Sequence, residues 1–262
     1  MNDKNTVKKE EIKFADSLLF EGMTSISAII NSPASNDRKI VKVMYDSSKE
    51  KSKKKELDFL RRKAKELSFE MEAVSADQID TVTVGSSHGG IIAICTDRTI
   101  PNLSESADDI DANGFYVMLV GIEDPYNFGY ALRSLYAAGA DGVILSPRNW
   151  MGAAGVVARA SAGASEMLPM FIDRDYSCAE ILKNKGYKIV CAGIRNSQTI
   201  YEADMKKPLL LVIGGEKRGI SASLLSKADS IVRIDYASSF RGSLSAASSA
   251  AIIGFEVMHQ NS

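Results

Sequence analysis

The stretch that decides the fold is Leu209–Ile220, LLLVIGGEKRGI. It opens as an apolar run rich in β-formers and stops at Gly214-Gly215, a pattern typical of a buried strand that ends in a tight turn. Gly219 allows a second bend, and Ser221 is suited to cap a following helix. A glycine-serine turn also precedes the small-residue helix predicted within Arg241–Ser249, RGSLSAASS. Two such turns predict backbone loops that approach a flat ligand closely, although two ordinary strand-to-helix turns are the alternative interpretation.

A third segment, Phe115–Leu145, repeats the order of strand, turn and helix. It predicts a buried strand over Phe115–Ile122, a helix opened and capped by Asn127, and a second strand over Gly142–Leu145. Arg133 lies in this helix near the carboxyl end of the first strand, where ligands gather in α/β sheets. A solvated helix arginine is the alternative interpretation. Helical spacing assigns three apolar residues to the core face: Leu132, Leu135 and Tyr136.

The order of predicted elements indicates an α/β protein with two domains. Residues 1–13 are rich in lysine and predict a flexible basic tail, and residues 14–98 alternate helix and strand signals. Residues 99–113 are polar and acidic without periodicity, which predicts a linker. Residues 114–262 contain successive strand and helix signals, which favour a mostly parallel sheet covered on both faces.

Composition places the chain among ordinary soluble proteins. No apolar run reaches the length of a membrane span, and the lysine-rich start lacks the apolar core of a signal peptide. Cys95, Cys178 and Cys191 lie far apart, so we expect no zinc site and no disulfide framework. These features predict a cytoplasmic protein without a metal ion or a membrane partner.

The net charge of −1 disfavours an RNA partner, but the distribution of charge matters more than its sum. Residues 49–65, KEKSKKKELDFLRRKAK, hold nine basic and three acidic residues. A solvated helix face is the simpler interpretation of this cluster. On an RNA-binding protein, the same cluster predicts contacts with phosphates through five cationic side chains: Lys53, Lys54, Lys55, Arg61 and Arg62.

Three short motifs resemble, in order and spacing, those of the SpoU/TrmH family of RNA ribose methyltransferases in the SPOUT superfamily. They are Asn127-x-Gly129-x-x-x-Arg133, Gly214-Gly215-Glu216-x-x-Gly219 and Gly242-Ser243-Leu244. The resemblance extends over about Phe115–Gln260 and includes Arg159–Gly163, RASAG. It implies a parallel-sheet domain with a deep trefoil knot, preceded by a small α/β RNA-binding domain like those of ribosomal and kink-turn-binding proteins. It also implies a homodimer that joins through the knotted domain.

The resemblance further implies S-adenosylmethionine as cofactor and methylation of a ribose 2′-hydroxyl, more in ribosomal than in transfer RNA. Carried over by position, the cofactor-binding residues are Gly214, Gly215, Ile234, Ser243 and Leu244. The catalytic residues are Arg133, Asn127, Glu216 and Ser243.

The family assigns the deprotonating role to Arg133, yet arginine stays charged at neutral pH. We therefore expect Arg133 to bind the phosphate beside the target ribose and to stabilise the developing alkoxide. For Glu216, accepting a hydrogen bond from the nucleotide and holding Arg133 are both open. Ser243 is also expected to cap the terminal helix.

One residue departs from the family pattern. The third motif usually reads Ser-Leu-Asn, whereas this chain has Ser243-Leu244-Ser245. Serine keeps a hydroxyl group but loses the reach and the second donor of the amide. The alternative hypothesis is therefore a catalytically weakened or inactive RNA- or ribosome-binding protein of the same fold. A dinucleotide-dependent enzyme is disfavoured because no GxGxxG opens the first helix.

Overall fold

The structure is a computed structural model that describes residues 18–83, 88–147, 153–216 and 219–262. Contacts divide the chain into two compact units. The first contains the described residues within Met1–Thr99 and Trp150–Met167, and the second those within Ile100–Asn149 and Leu168–Ser262. The predicted basic tail, residues 1–13, lies outside the described residues.

Regular elements follow one another in the order in which the sequence alternates. Up to residue 99 they are β1 (Leu19–Glu21), α1 (Gly22–Ile30), β2 (Ile40–Asp46), α2 (Lys54–Leu67), β3 (Glu70–Val74), α3 (Ala76–Val82) and β4 (Ile91–Cys95). Beyond it they are β5 (Phe115–Val120), α4 (Pro125–Ala137), β6 (Gly142–Leu145), α5 (Ala154–Ala160), α6 (Ala164–Met167), β7 (Met170–Ile172), α7 (Cys178–Asn184), β8 (Lys188–Ala192), β9 (Gln198–Thr199), β10 (Leu209–Gly214), α8 (Ala222–Leu225), β11 (Ser230–Arg233) and α9 (Ala246–Gln260).

The first unit is built on a four-stranded sheet in the order β1-β4-β2-β3. β4 pairs antiparallel with β1 and β2, whereas β2 and β3 run parallel. Leu57 and Leu60 are buried in its core, as the helical spacing predicts, and Ala64 packs against them. The helix α2 therefore buries one apolar stripe and leaves its basic side chains outward.

Residues from later in the chain complete the first unit. Helix α5 lies against β1 at Gly155, where an added Cβ would come within 1.9 Å of the carbonyl oxygen of Leu19. Beside it, the Glu166 carboxylate accepts hydrogen bonds from Arg38 Nε at 3.0 Å and Asn36 Nδ2 at 2.9 Å. The side chains of Arg38 and Glu166 are only 4% and 3% exposed. A buried ion pair with these additional hydrogen bonds fixes the segment in one position.

This division of the chain differs from the predicted domains at two places. The predicted linker, residues 99–113, groups with the second unit from Ile100 onward, and Leu103 and Ile110 are buried in that unit's core. Residues 153–167 were predicted in the C-terminal domain and group with the first unit. Neither difference could be predicted from local sequence. In residues 99–113, two isolated apolar residues make no periodic pattern. In residues 153–167, the partners of Glu166 lie far away along the chain.

The second unit contains a seven-stranded sheet in the order β7-β6-β5-β10-β8-β11-β9. Every pairing is parallel, which confirms the predicted parallel sheet. Its central strands are almost wholly apolar because a parallel sheet is covered on both faces. Helix α9 packs on α4, where Gly254 lies against Leu135.

Two details of helix α4 differ from the prediction. The helix begins at Pro125 instead of Asn127, because proline is favoured in the first turn, where its missing N–H costs nothing. Leu132 and Leu135 are fully buried, whereas Tyr136 is 44% exposed, so its assignment to the core is wrong. The residue lies at the edge of the apolar stripe, where helical spacing alone does not separate buried from exposed positions.

The described cysteines are free and buried. Burial raises the pKa of the Cys95 thiol to about 12 and that of Cys191 to about 11, so both are protonated at neutral pH. Across the described ranges, no helix combines the length and apolar character that a membrane crossing requires.

Candidate active site

A large cavity lies at the carboxyl ends of β8, β10 and β11, which are neighbours in the parallel sheet. Its volume is about 880 Å³, within the range of cavities that hold small-molecule ligands. The lining is largely apolar and includes Ile213, Ile220, Leu225, Ile231, Val232 and Ile253. All five predicted cofactor residues border it: Gly214, Gly215, Ile234, Ser243 and Leu244. The structure therefore brings together three segments that lie apart in sequence.

The paired glycines of this cavity are required by contacts within the backbone. A Cβ on Gly215 would lie 2.2 Å from the carbonyl oxygen of Gly121, and one on Gly214 would lie 2.7 Å from the backbone of Gly219. Gly219 itself has a φ of +60°, so it turns the chain back in the left-handed region. The sequence predicts that these glycines let a ligand approach the backbone. In the structure, backbone atoms of the protein itself occupy the space that their side chains would fill.

A smaller cavity of about 120 Å³ adjoins the large one. It lies between the loop after β5 and the loop after β10, and Asn127 and Glu216 both border it. Glu216 also borders the large cavity, as do Gly215 and Ala246. Glu216 is thus placed where the two cavities meet. A ligand group in the small cavity would lie beside a ligand in the large one.

The N-cap of α4 is Asp124, and the predicted cap at Asn127 is wrong. The Asp124 carboxylate accepts a hydrogen bond from the backbone N–H of Asn127 at 2.9 Å. Because the helix starts two residues earlier than predicted, Asn127 lies inside its first turn. The Asn127 amide therefore takes no part in capping and borders the small cavity instead.

Arg133 lies outside the two cavities. It is exposed on α4, and among the described residues it borders neither cavity and has no ion pair with Glu216. Six residues along an α-helix correspond to about 9 Å of rise and more than one and a half turns. Arg133 therefore lies on a different face of α4 from Asn127. A contact in which Glu216 holds Arg133 stays a prediction.

Ser245, not Ser243, caps the terminal helix. The Ser245 hydroxyl accepts a hydrogen bond from the backbone N–H of Ser248 at 3.1 Å, and α9 starts at Ala246. Serine and asparagine are about equally effective as N-caps. The departure from the family's asparagine thus preserves a local structural role, and Ser243 is left to border the large cavity. The predicted cap at Ser221 is confirmed for α8.

Sequence reasoning missed two parts of the large cavity. One is the loop after β8, which contributes Ala192–Asn196, and the other is the aromatic pair of Tyr236 and Phe240. The signal for the first was the end of the apolar strand at Ala192-Gly193, the same kind of strand exit as at Gly214. The aromatic residues lie in a loop without periodicity, so their place at the cavity was not readable from the sequence.

The predicted RNA-binding cations on and before α2 fall into two groups. Lys53 pairs with Glu56 at 3.1 Å, and Arg61 pairs with Glu50 and Asp58. Within the described ranges, no ion pair involves the remaining three, Lys54, Lys55 and Arg62, and Arg62 lies over the ring of Phe59. Exposed ion pairs are weak and exchange readily with phosphate. The described residues contain no cluster of metal-binding side chains.

Two residues at the start of α4 are expected to differ in their contribution to stability. Replacing Asp124 by Ala removes a helix cap, and we expect it to lower the free energy of unfolding by about 1 kcal/mol. Replacing Asn127 by Ala removes an amide that makes no cap, and we expect a change below about 0.5 kcal/mol. Urea denaturation followed by circular dichroism measures both values. Equal losses in the two variants would contradict the assigned cap.

Ser245 offers a second comparison at the start of α9. We expect Ser245→Ala to cost about 1 kcal/mol of stability and Ser245→Asn to cost almost nothing, because asparagine replaces serine as a cap. The same denaturation measurement applies. A Ser245→Asn variant as unstable as Ser245→Ala would show that the hydroxyl does something other than capping.

Comparison with known proteins agrees with this arrangement. Residues 114–255 match the SpoU rRNA Methylase family. The 23S rRNA (guanosine-2′-O-)-methyltransferase RlmB of Shewanella oneidensis is 29% identical over 208 residues, which cover 77% of this chain and 82% of that protein. The putative TrmH family tRNA/rRNA methyltransferase YacO of Bacillus subtilis is 26% identical over 85% of this chain and 89% of its own length.

The fold is shared with solved structures over nearly the whole chain. The AdoMet-bound rRNA methyltransferase from Sinorhizobium meliloti superposes with a TM-score of 0.79 at 22% identity, covering 99% of this chain and 97% of that one. The family match covers more than half of the 262 residues and includes all three motifs that surround the two cavities. This chain belongs to the SpoU rRNA methylase family.

Proposed function

We propose that this chain transfers a methyl group from S-adenosylmethionine to the 2′-hydroxyl of a ribose in ribosomal RNA. The observation that carries this proposal is the position of Glu216, which borders both the large cavity and the small one. Such a junction is what a transfer between two bound molecules requires, because the reacting atoms must meet in a near-attack geometry. The 23S rRNA activity in the names of relatives supports ribosomal RNA as the substrate class.

The large cavity fits S-adenosylmethionine. Its volume and apolar lining suit an adenosyl group, and the carboxyl ends of three parallel strands offer backbone groups for hydrogen bonds to adenine. The strand exits at Gly214-Gly215 and Ile234, together with Ser243-Leu244, would hold the cofactor. When bound there, it supplies an electrophilic methyl group attached to a positively charged sulfur. The Glu216 carboxylate at the cavity boundary favours that positive charge.

The small cavity is the proposed site of the target ribose. There the Asn127 amide and the Glu216 carboxylate present hydrogen-bonding groups to a sugar hydroxyl. Accepting the hydroxyl proton in a hydrogen bond, Glu216 would orient the oxygen lone pair toward the large cavity. Ser243 lies in the loop that precedes α9 and borders the large cavity, where it would position that loop against the cofactor. Proton transfer is completed to water or to a phosphate oxygen, since neither His88 nor His259 borders a cavity in the described ranges.

We propose that a second copy of this chain docks on the outer faces of α4 and α9. Large apolar side chains are exposed on both helices: Tyr126 and Tyr130 on α4, and Ile252, Phe255 and Met258 on α9. Their spacing of three to four residues makes a stripe on each helix. Arg133 lies on α4 with the two tyrosines, so a docked second chain would meet it. From that position Arg133 would bind a phosphate of the RNA and stabilise the developing alkoxide.

The remaining features of the proposal concern the architecture. A trefoil knot in the second unit is part of the proposal, because the resemblance to the family implies it. The first unit is the proposed RNA-binding domain, with Lys54, Lys55 and Arg62 as the cations most available to phosphates. A cytoplasmic location fits the buried, free cysteines and the RNA substrate.

The activity is tested with methyl-labelled S-adenosylmethionine and in vitro transcribed 23S, 16S and transfer RNA, followed by nuclease digestion and nucleoside mass spectrometry. We expect a 2′-O-methyl nucleoside in 23S rRNA with the wild-type chain. Glu216→Gln and Asn127→Ala should each lower kcat by about 10²-fold, the effect of removing one preorganised polar group. Asn127→Ala should leave cofactor affinity within threefold, whereas Glu216→Gln should also weaken cofactor binding, because it removes the negative charge that favours the sulfonium. Arg133→Ala should also reduce turnover.

Ser221→Ala is the matched control, because it removes the cap of α8 in the same unit and, among the described residues, Ser221 borders neither cavity. Its activity should equal that of the wild type below its unfolding transition. A label on a nucleobase would exclude ribose methylation. The absence of any label despite normal cofactor binding would instead favour the RNA-binding protein without activity.

The dimer is tested by light scattering coupled to size-exclusion chromatography. We expect the wild type to elute with twice the mass of one chain and Phe255→Glu to elute as a monomer, because a buried carboxylate at an apolar interface is unfavourable. Val41→Glu, which places the same charge on an exposed apolar position of the first unit, should leave the dimer intact. A monomeric wild type would contradict the proposed interface.

A further inference from the structure

An exposed aromatic pair borders the large cavity of the second unit. Phe240 is 57% exposed and Tyr236 is 38% exposed, and their ring centroids lie 5.8 Å apart with an interplanar angle of 45°. Both residues lie in the loop between β11 and α9. We call Tyr236, Phe240 and Arg241, together with Arg195 from the loop after β8, the aromatic rim; all four border the large cavity.

Contacts inside the loop hold the Phe240 ring in place. A Cβ on Gly242 would lie 2.5 Å from Cζ of Phe240, so the ring lies close against the backbone of Gly242. The Tyr236 hydroxyl accepts a hydrogen bond from the backbone N–H of Leu244 at 3.1 Å, and Phe240 N–H donates to Ser238 Oγ at 3.3 Å. The Phe240 ring therefore lies beside the backbone of the loop and is still more than half exposed.

The charge of the aromatic rim is positive. The acid nearest in sequence, Asp235, is paired with Arg233 at 2.7 Å. The neighbouring Thr199 side chain and this pair lower the pKa of the carboxyl. Arg195 and Arg241 are exposed, and within the described part of the chain neither has an ion pair. Glu216 is the other acid at the cavity and lies at its boundary with the small one. Two guanidinium groups are thus available to an anion.

We propose that the aromatic rim binds an unpaired nucleotide of the substrate RNA, with its base stacked on Phe240 and its phosphates contacted by Arg195 and Arg241. An aromatic face flanked by arginines is the combination that proteins use for unstacked RNA bases. The Tyr236 ring lies beside the Phe240 ring, in a tilted arrangement. This inference rests on the proposed function, which identifies the bound polymer as RNA. It adds that the aromatic rim binds RNA in its unpaired form.

An exposed phenylalanine also suits two other occupants, the bound cofactor and a second copy of the chain. The unpaired arginines favour RNA, because S-adenosylmethionine brings a positively charged sulfur and a second copy carries the same two cations. Charge complementarity therefore selects a polyanion for this part of the surface.

The test compares Phe240→Ala, Phe240→Trp and a control, Tyr201→Ala, which removes an exposed aromatic ring from the same unit. Fluorescence anisotropy measures binding to a labelled single-stranded oligoribonucleotide of about a dozen nucleotides and to the blunt duplex of the same sequence. Calorimetry measures the affinity for S-adenosylmethionine alone. We expect Phe240→Ala to weaken single-strand binding about tenfold and duplex binding less than twofold, with cofactor affinity unchanged.

Phe240→Trp should retain single-strand binding, since a larger ring also stacks, and its indole fluorescence should be quenched by the single strand. Tyr201→Ala should bind both RNAs as the wild type does. Arg241→Ala should weaken single-strand binding and reduce its salt dependence. These results would stand even if methyl transfer failed, because none of the measurements depends on catalysis.

Three outcomes would overturn the inference. Unchanged single-strand binding by Phe240→Ala, with methyl transfer intact, would remove the aromatic rim from RNA recognition and leave the proposed function standing. A loss of cofactor affinity in that variant without a loss of RNA binding would assign the ring to the cofactor. A change from dimer to monomer in the same variant would assign it to the contact between two copies.

Discussion

The close approach of three backbone segments at Gly121, Gly214-Gly215 and Gly219 is the constraint on which the site depends. The distances leave no room for a Cβ at Gly214 or Gly215. In addition, the Gly215 N–H donates to the carbonyl oxygen of Val120, so the turn after β10 is tied to the end of β5. Backbone contacts of this kind are not adjustable in the way that side-chain contacts are, because neither partner can rotate away.

This contact explains why the two cavities share a border. Gly215 lies at the junction, and Glu216 follows it directly, so the carboxylate is presented at the point where the loops meet. Asn127 is placed opposite because Asp124 begins α4 at the end of the same loop after β5. The sheet provides the framework: β5 and β10 are adjacent parallel strands, and their carboxyl ends lie on one edge. The positions of the site residues thus follow from strand order and one pair of glycines.

A comparable constraint organises the first unit. Glu166 is buried with Arg38 and Asn36, which lie 128 and 130 residues away along the chain. Gly155 allows α5 to approach the backbone of β1, as Gly215 allows the turn after β10 to approach the loop after β5. A segment within the family-matched region 114–255 is therefore part of the unit that contains the N-terminal sheet. Local sequence patterns do not carry this information, because a buried charge reads as a surface charge until its partner is known.

The sequence by itself determined the parallel α/β class, the strands that surround the site, and the motif residues that border its cavities. Apolar runs that end at glycines were sufficient for the class and the strands, since both burial and tight turns leave local signals, whereas the motif residues were assigned by the resemblance to the family. Only the tertiary structure decided that Asp124 and Ser245 are the helix caps, that Tyr236 and Phe240 border the large cavity, and that Arg133 faces outward. Each of these depends on where an element begins or which way a side chain points. A shift of one or two residues at a helix start changes both, whereas the hydrophobic pattern that predicts the helix stays the same.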